Sequence, residues 1–333
     1  MGSSLKLFGG GFAETLLSTT ANPIVGLFIG ILVTSVVQSS SMTTSLVVGM
    51  VGGGMMSVGN AIPIIMGANI GTTITNLMVS LVHINRSAEF RRAFASSVVH
   101  DIFNLLAVIL FLPIQIKTNF LGRFSDYLAH TFSDYGGMKL FNPLGAITKP
   151  VIAAVLNMLD NNAIIGTVIA IVLLFVSLNF MVRVLKSMLM SRLTGFFQRY
   201  IFKTNFRSFL LGLGITVLVQ SSSITTSIVI PLAGSGVLTL FQVFPYTLGA
   251  NLGTTATAIL ASLATGNIAA VTIAFAHMLF NLSGIFVFWP LRRIPMSLAR
   301  KMADLAVKSK VVPIAFVGVI FFIVPVILIY LWR

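Results

Sequence analysis

The sequence contains no cysteine and few charged residues. Without cysteine the chain has no disulfide, no thiol nucleophile and no thiolate for binding a metal. Only 8 % of the 333 residues are charged and 56 % are hydrophobic, whereas soluble domains carry about 25 % charged residues. The mean hydropathy is +1.01. Long apolar stretches need lipid or other helices around them, so the composition predicts an all-α polytopic membrane protein in a lipid bilayer.

Acidic residues are scarce: 7 Asp and Glu stand against 21 Lys and Arg, which gives a formal net charge of +14. Basic chains often bind nucleic acid, but here 15 of the basic residues fall into three blocks between long apolar runs. The blocks lie at 86–92, 183–207 and 292–310. Basic loops mark the cytoplasmic side of membrane proteins. The pattern argues against a nucleic-acid partner and predicts a multi-pass membrane protein, which we expect in the plasma (inner) membrane.

An internal repeat organises the chain. The run TSVVQSSSMTTS at 34–45 returns as TVLVQSSSITTS at 216–227. At the same spacing, GANIGTT at 67–73 returns as GANLGTT at 249–255. A duplicated motif of this length predicts two copies of one structural unit.

The loops that connect the repeated motifs differ in charge. The loop at 83–92 carries three arginines, and its counterpart at 264–270 carries no charge. By the positive-inside rule, the two loops lie on opposite sides of the membrane. We therefore expect two inverted-topology repeats, in which a substrate site lies near the midplane where the copies meet.

This organisation predicts five segments. In each repeat one apolar segment is expected to end at QSSS and another at the GAN motif. Residues from about 115 to 140 are expected to form an extramembrane loop. The segments are an N-terminal segment at 1–21, a first inverted repeat with QSSS and GANIGTT at 22–114, a connecting loop with linking helices at 115–207, a second inverted repeat with QSSS and GANLGTT at 208–291, and a cytoplasmic amphipathic segment with a final transmembrane helix at 292–333.

Each QSSS run places an amide and three hydroxyls inside an apolar segment. Bonds to the helix's own carbonyls would account for a single Ser pair, but not for a longer polar run in both halves. Hydroxyls, an amide and free backbone N–H groups at a broken helix bind oxyanions, and oxygen atoms at the same break suit sodium. The candidate anion ligands are Gln38, Ser39, Ser40, Ser41, Gln220, Ser221, Ser222 and Ser223.

The GAN motifs add further oxygen atoms, although a small-residue packing motif accounts for their glycines equally well. Asp101 is the one carboxylate deep in a predicted spanning helix, which indicates a function. If the anion is divalent phosphate, two sodium ions neutralise it, and an extra carboxylate could hold a third cation. The candidate sodium ligands are Asp101, Thr43, Asn69, Thr72, Thr73, Thr225, Asn251, Thr254 and Thr255.

Two histidines occupy equivalent positions in the repeats. His100 matches His277, and one helical turn later Asn104 matches Asn281. Because these residues recur at equivalent positions, we expect a structural hydrogen bond shared by the two repeats rather than a role in proton transfer. We expect these four side chains to support the ligands from behind. Sodium is the expected coupling ion, with no other cofactor.

From about Asn22 to Pro290 the chain resembles the type II sodium/phosphate cotransporters. The resemblance implies sodium-driven uptake of inorganic phosphate, held between the two QSSS motifs. It also implies that Asp101 makes transport electrogenic, because members with glycine there are electroneutral. The chain lacks the large cysteine-bearing loop of animal members, which is typical of a bacterial homologue. The matching stretches are both QSSS runs, both GAN motifs, AIPIIMGANIGTT (61–73), FRRAF (90–94), VHDIFN (99–104), ITKP (147–150) and Leu159-Asp160.

Three alternatives remain open. The same scaffold could carry another small anion, such as sulfate or a carboxylate, and competition for uptake distinguishes these. An enzyme is disfavoured, because the sequence has no metal-ligand cluster, no nucleophile with an adjacent base, and neither HExxH nor GxSxG. A channel or structural bundle would not couple anion flux to a sodium gradient. No obligate protein partner is evident.

Overall fold

The computed structural model describes residues 17–135, 142–160, 162–170, 172, 173, 176 and 204–332. Within these ranges the regular secondary structure is helical, which confirms the predicted all-α class. The helices are α1 (Pro23–Val37), α2 (Ser40–Gly52), α3 (Val58–Gly71), α4 (Ile74–Leu81), α5 (Ser87–Thr118), α6 (Phe120–Asp134), α7 (Asn142–Met158), α8 (Asn205–Val219), α9 (Ser222–Gly234), α10 (Leu240–Thr265), α11 (Ile268–Phe288), α12 (Arg293–Lys308), α13 (Val311–Gly318) and α14 (Val324–Trp332).

Four of the described helical stretches are long and apolar enough to cross a membrane. Each of these stretches contains a run of apolar residues that, as a helix, is about as long as the hydrocarbon core of a bilayer is thick. Nine of the 19 residues of the predicted spanning helix at 164–182 lie outside the described residues. The four stretches are Val58–Leu81, Ser87–Thr118, Ile268–Phe288 and Val311–Trp332.

Glycines bring two pairs of helices into backbone contact, one pair in each half. A Cβ atom on Gly67 of α3 would lie 2.0 Å from the carbonyl oxygen of Leu27 in α1. A Cβ atom on Gly249 of α10 would lie 1.9 Å from the carbonyl oxygen of Phe209 in α8. Only glycine permits such an approach. The GAN glycines therefore pack each motif helix against the helix that leads to QSSS.

Helices α5 and α11, which carry the two histidines, lie in the main hydrophobic core. Phe103 of α5 packs edge-on against Phe244 of α10 and Phe288 of α11, with ring centroids 6.2 and 6.0 Å apart. Offset and edge-on aromatic pairs of this kind are favourable beyond their buried area. The contacts fix α5 against two helices of the second half.

The prediction of a loop at 115–140 is wrong over its described part, which is largely helical, whereas its extramembrane position stays a prediction. Helix α5 continues to Thr118, and α6 follows after a turn at Asn119, whose φ is 49°. Gln115 closes the turn, because its Nε2 donates to Asn119 Oδ1 (2.8 Å) and its Oε1 accepts from the Leu121 amide (2.9 Å). Helix α6 then folds back and packs on α11, with Ala129 buried.

The prediction that both GAN motifs end a helix holds only in the first half. Helix α3 ends at Gly71, and α4 begins at Ile74. In the second half α10 runs without interruption through the motif, so the prediction is wrong there. The break in the first half frees the carbonyl oxygen of Thr72, which accepts a hydrogen bond from the Ser223 hydroxyl (3.4 Å).

The C-terminal region has the predicted amphipathic helix and spanning helix. Helix α12 buries residues at helical spacing, among them Met296, Ala299 and Ala303, and packs along α5. The spanning stretch Val311–Trp332 contains a π-helical turn at Val319–Ile323 between α13 and α14.

Candidate functional site

Each QSSS run interrupts a helix at its glutamine. Helix α1 ends before Gln38 and helix α8 ends before Gln220, and these two residues have left-handed φ values of 54° and 51°. Positive φ is uncommon for residues other than glycine, so its occurrence at two equivalent positions indicates a conformation that the surroundings impose. Gln38 is exposed. An exposed amide at a helix break is tolerated within a membrane only where it meets water or a ligand.

The serine after each glutamine starts the next helix. Ser39 Oγ accepts from the amide of Met42 (3.3 Å), and Ser221 Oγ accepts from the amide of Ile224 (3.4 Å). Serine is a preferred N-cap because its hydroxyl satisfies one of the free N–H groups of the first turn. The first amides of α2 and α9 have no partner within their own helices. Two positive helix ends thus follow the two breaks.

The two breaks meet in the folded chain. The hydroxyl of Ser41 donates to the carbonyl oxygen of Gln220 at 2.9 Å, although the residues are 179 positions apart. Three further serines of the runs, Ser40, Ser222 and Ser223, are 2–6 % exposed. The structure therefore brings the two QSSS runs into contact at the bond from Ser41 to Gln220, and the binding of an anion by their eight residues stays a prediction.

The six threonines predicted to bind sodium all donate to carbonyl oxygens of their own helices or N-caps, at 2.6–3.1 Å. A hydroxyl that donates its hydrogen still has lone pairs for a cation. The bonds satisfy the threonines in the apolar interior and leave oxygen atoms available. The six are Thr43, Thr72, Thr73, Thr225, Thr254 and Thr255.

The first histidine reaches the GAN asparagine of the other half. His100 Nε2 lies 2.7 Å from Asn251 Oδ1, and Asn251 Nδ2 donates to Asn104 Oδ1 at 2.7 Å. Because an amide oxygen only accepts, His100 carries its hydrogen on Nε2. The predicted structural bond is present here, and it joins the two repeats.

The second histidine makes the reciprocal contact. His277 Nε2 lies 3.1 Å from Asn69 Oδ1, and Asn69 Nδ2 donates to Asn281 Oδ1 at 3.4 Å. All of these side chains are at most 2 % exposed. The histidines therefore fix the orientation of the two asparagines, and their support of ligands stays a prediction. A role for Asn69 and Asn251 in sodium binding stays a prediction, since each oxygen already accepts one hydrogen bond.

Asp101 lies apart from this network. It is 3 % exposed, and neither carboxylate oxygen has a hydrogen-bond partner among the described residues. It lines a cavity of about 280 Å³ between α5, α12 and α13, whose other lining residues are apolar except for Lys301. A buried carboxylate without a partner is costly in a membrane. A cation or a proton must therefore accompany it.

Sequence reasoning missed Asn76 in α4. Its Oδ1 accepts from the hydroxyls of Thr226 (2.9 Å) and Ser227 (3.1 Å), which extend the second QSSS run. The available signal was an amide in a short apolar helix directly after GANIGTT. The equivalent residue in the second half is Ala258, so this contact exists once.

Polar helix breaks enclosed by apolar helices define a helical membrane protein of the kind to which many secondary transporters belong. The model of the Na+/Pi-cotransporter family matches residues 1–133 and 173–290, and the chain belongs to this family. It is a family of transporters, not of enzymes.

Several mammalian proteins are similar to the chain. Sodium-dependent phosphate transport protein 2B of Pongo abelii and that of Homo sapiens are both 32 % identical over 98 % of the chain. Sodium-dependent phosphate transport protein 2A of Rattus norvegicus is 31 % identical over 98 % of the chain. The chain spans 62, 61 and 64 % of the length of these relatives. No solved structure matches the chain significantly.

Proposed function

We propose that the protein is a sodium-coupled secondary transporter that imports inorganic phosphate by alternating access in the plasma membrane, which it crosses several times. The observation that carries this proposal is the contact between the two helix breaks, Ser41 Oγ to Gln220 O. Family membership and the relatives named for sodium-dependent phosphate transport support the choice of ion and substrate.

The QSSS breaks suit a tetrahedral oxyanion. The serine hydroxyls, the two glutamine amides and the first N–H groups of α2 and α9 all donate hydrogen bonds. Neither run contains Lys or Arg. The positive charge that a multivalent anion needs then comes from the two helix ends and from bound sodium, so neither ligand binds well alone. This dependence couples phosphate to sodium.

Sodium would take oxygen ligands from the threonines beside the breaks and, at a separate position, from Asp101. Asp101 is the buried carboxylate without a described partner, and a cation beside it would remove the cost of burying its charge. With two sodium ions neutralising divalent phosphate, a third at Asp101 makes each cycle electrogenic.

The two repeats are proposed to have inverted topology. Arg86, Arg91 and Arg92 are exposed at the start of α5, whereas the equivalent connection between α10 and α11 has no charge. The absence of native cysteine allows a clean test with Ala88→Cys and Ala264→Cys, both at exposed positions. An impermeant thiol reagent should label the two variants from opposite sides of sealed vesicles. Labelling from the same side refutes inversion.

Uptake of radiolabelled phosphate into proteoliposomes tests the function. An inward sodium gradient should drive accumulation, whereas an equal potassium gradient should not. Ser223→Ala should reduce uptake strongly, and Ser57→Ala, which removes the N-cap serine of α3 outside the breaks, should leave it nearly unchanged. Unlabelled phosphate should compete far better than sulfate or a carboxylate. Stronger competition by sulfate assigns the scaffold to another anion, and sodium-independent flux supports a channel.

A further inference from the structure

Three arginines line a second cavity, away from the QSSS breaks. We call this cavity the arginine pocket. It has a volume of about 300 Å³ and lies between α5, α12 and the turn before α10. Its lining residues include Arg91, Arg92, Arg300, Ser96, Gly236 and Thr239. It shares no lining residue with the Asp101 cavity and includes no residue of either QSSS run. Two of the arginines belong to the FRRAF stretch, which the proposed transport mechanism does not use.

Arg91 and Arg92 are each anchored through Nε. Arg92 Nε donates to the carbonyl oxygen of Gly234 at 2.8 Å, and Arg91 Nε donates to the carboxylate of Asp304 at 2.5 Å. Within the described part of the chain, their terminal nitrogens form no hydrogen bond. A guanidinium held through Nε presents its two terminal N–H₂ groups in a fixed orientation, which suits bidentate contact with a phosphate group.

Arg300 is held differently. Its guanidinium lies over the ring of Phe241, with Cζ 5.5 Å from the ring centroid. A cation–π contact orients the guanidinium and satisfies no N–H donor. Arg300 makes no hydrogen bond to any residue that the structure describes, so its donors are available to an anion at the pocket.

Residues of a turn and of a helix start complete the lining of the pocket. Thr239 and Leu240, at the start of the 26-residue helix α10, line the pocket, where the helix dipole is positive. Gly236 has φ 84°, and a Cβ atom there would lie 3.7 Å from Arg92 Cζ. This glycine makes the turn that brings the helix end next to the arginines.

The charges do not cancel. Asp304 is the acidic residue that contacts these arginines in the described structure, and it neutralises Arg91. Arg92 and Arg300 remain without a carboxylate partner there. Three arginines held side by side with one counter-charge leave a net positive site, which an anion would stabilise.

We propose that the arginine pocket binds a phosphate group, carried either by the headgroup of an anionic phospholipid or by inorganic phosphate. Basic pockets between membrane helices on the cytoplasmic side are suited to phosphorylated headgroups. Inorganic phosphate offers the same tetrahedral oxyanion. The site stands on its own residues and does not depend on the transport proposal.

The lipid source is tested with the full-length protein in nanodiscs of phosphatidylcholine containing phosphatidic acid, by measuring the phosphatidic acid retained after washing. Arg92→Gln and Arg300→Gln should each lower retention about tenfold, the loss expected for one charge-assisted contact. The matched control is Arg293→Gln, which removes the same charge from an exposed position on the same helix as Arg300 and outside the pocket.

The free-phosphate source is tested by equilibrium binding of radiolabelled phosphate to protein that carries Gln38→Ala, so that the QSSS site does not contribute. Binding that Arg300→Gln abolishes and Arg293→Gln spares supports the pocket with phosphate as its ligand. Arg300 has no hydrogen bond or ion pair within the described residues, so this variant also serves if Arg92→Gln proves unstable. If the pocket variants match Arg293→Gln in both assays, the proposal is overturned.

Discussion

The two halves of the chain share their helix breaks but differ in what surrounds them. Gln38 and Gln220 have nearly the same left-handed φ, and Gly67 and Gly249 make the same backbone contact. In contrast, Asp101 has Met278 at its equivalent position. The duplicated glutamines belong to the proposed anion site, whereas the duplicated glycines pack the helices that lead to it. The unpaired features are candidates for setting the charge of the transport cycle and the orientation in the membrane.

The halves also depend on each other. Each histidine binds the GAN asparagine of the opposite copy. Neither half can therefore satisfy its own buried asparagine as it does in the folded chain. The two reciprocal bonds therefore join the halves at their buried asparagines.

The largest expected effect on stability comes from the two glycines that make the same helix contact in both halves. We expect Gly67→Ala and Gly249→Ala each to destabilise the fold by about 3 kcal/mol or more, because each added methyl overlaps a backbone carbonyl. Gly59→Ala and Gly214→Ala are matched controls in α3 and α8, since a Cβ atom at each meets no close contact. Thermal unfolding in detergent provides the measurement. Tolerance of alanine in only one half would break the equivalence.

Asp101 should show the clearest difference. We expect Asp101→Gly to keep sodium-driven uptake and to lose its dependence on membrane voltage, which is about 2.3 kcal/mol per charge per 100 mV. Phosphate uptake at imposed potassium diffusion potentials measures this.

The matched control is Met278→Gly, at the equivalent position of the second half. It should leave the voltage dependence intact. If uptake by the Asp101→Gly protein still depends on membrane voltage, the proposal that a third cation binds at Asp101 is wrong.

The two histidines that bind the GAN asparagine of the opposite half should contribute to stability by different amounts. His100→Ala and His277→Ala should each destabilise the fold by about 1–3 kcal/mol, the cost of leaving a buried amide unsatisfied. The loss should be larger for His100, whose contact is 2.7 Å rather than 3.1 Å. Thermal unfolding of both variants, with the exposed His130→Ala as control, decides this. No loss in either variant would mean that the crossed bonds do not hold the halves together.

The smallest expected effect on stability concerns the ion pair between Arg91, near the start of α5, and Asp304. The hydrogen bond from Arg91 lowers the pKa of the Asp304 carboxyl below its ordinary value. A lowered pKa in the folded state stabilises the fold at neutral pH and loses that contribution as the pH falls through the folded pKa.

Asp304→Asn should therefore reduce stability slightly at neutral pH and have no effect once the carboxyl is protonated. Both partners are about half exposed, at 58 and 46 %, which keeps the effect small. Unfolding temperatures measured from neutral to acid pH, beside the control Asp134→Asn, test the sign. An effect that grows towards acid would contradict it.

The sequence was sufficient for the helix breaks, because a polar run inside an apolar segment has few physical solutions. It was not sufficient for contacts between distant residues. The hydrogen bond from His100 to Asn251 depends on how α5 packs against α10. A local sequence pattern does not predict that packing. The hairpin at α5 and α6 was missed because its signal is the pair of side-chain bonds that Gln115 makes across the turn. Asn76 was missed because it has no counterpart in the second half.

The central claim is that the two breaks form one phosphate site, and equilibrium phosphate binding to purified protein in sodium tests it most directly. With Arg300→Gln as the background, so that the arginine pocket does not contribute, the account predicts one phosphate per chain and loss of binding in both Gln38→Ala and Gln220→Ala. Two phosphates per chain in that background, or loss in only one of the two variants, would contradict it.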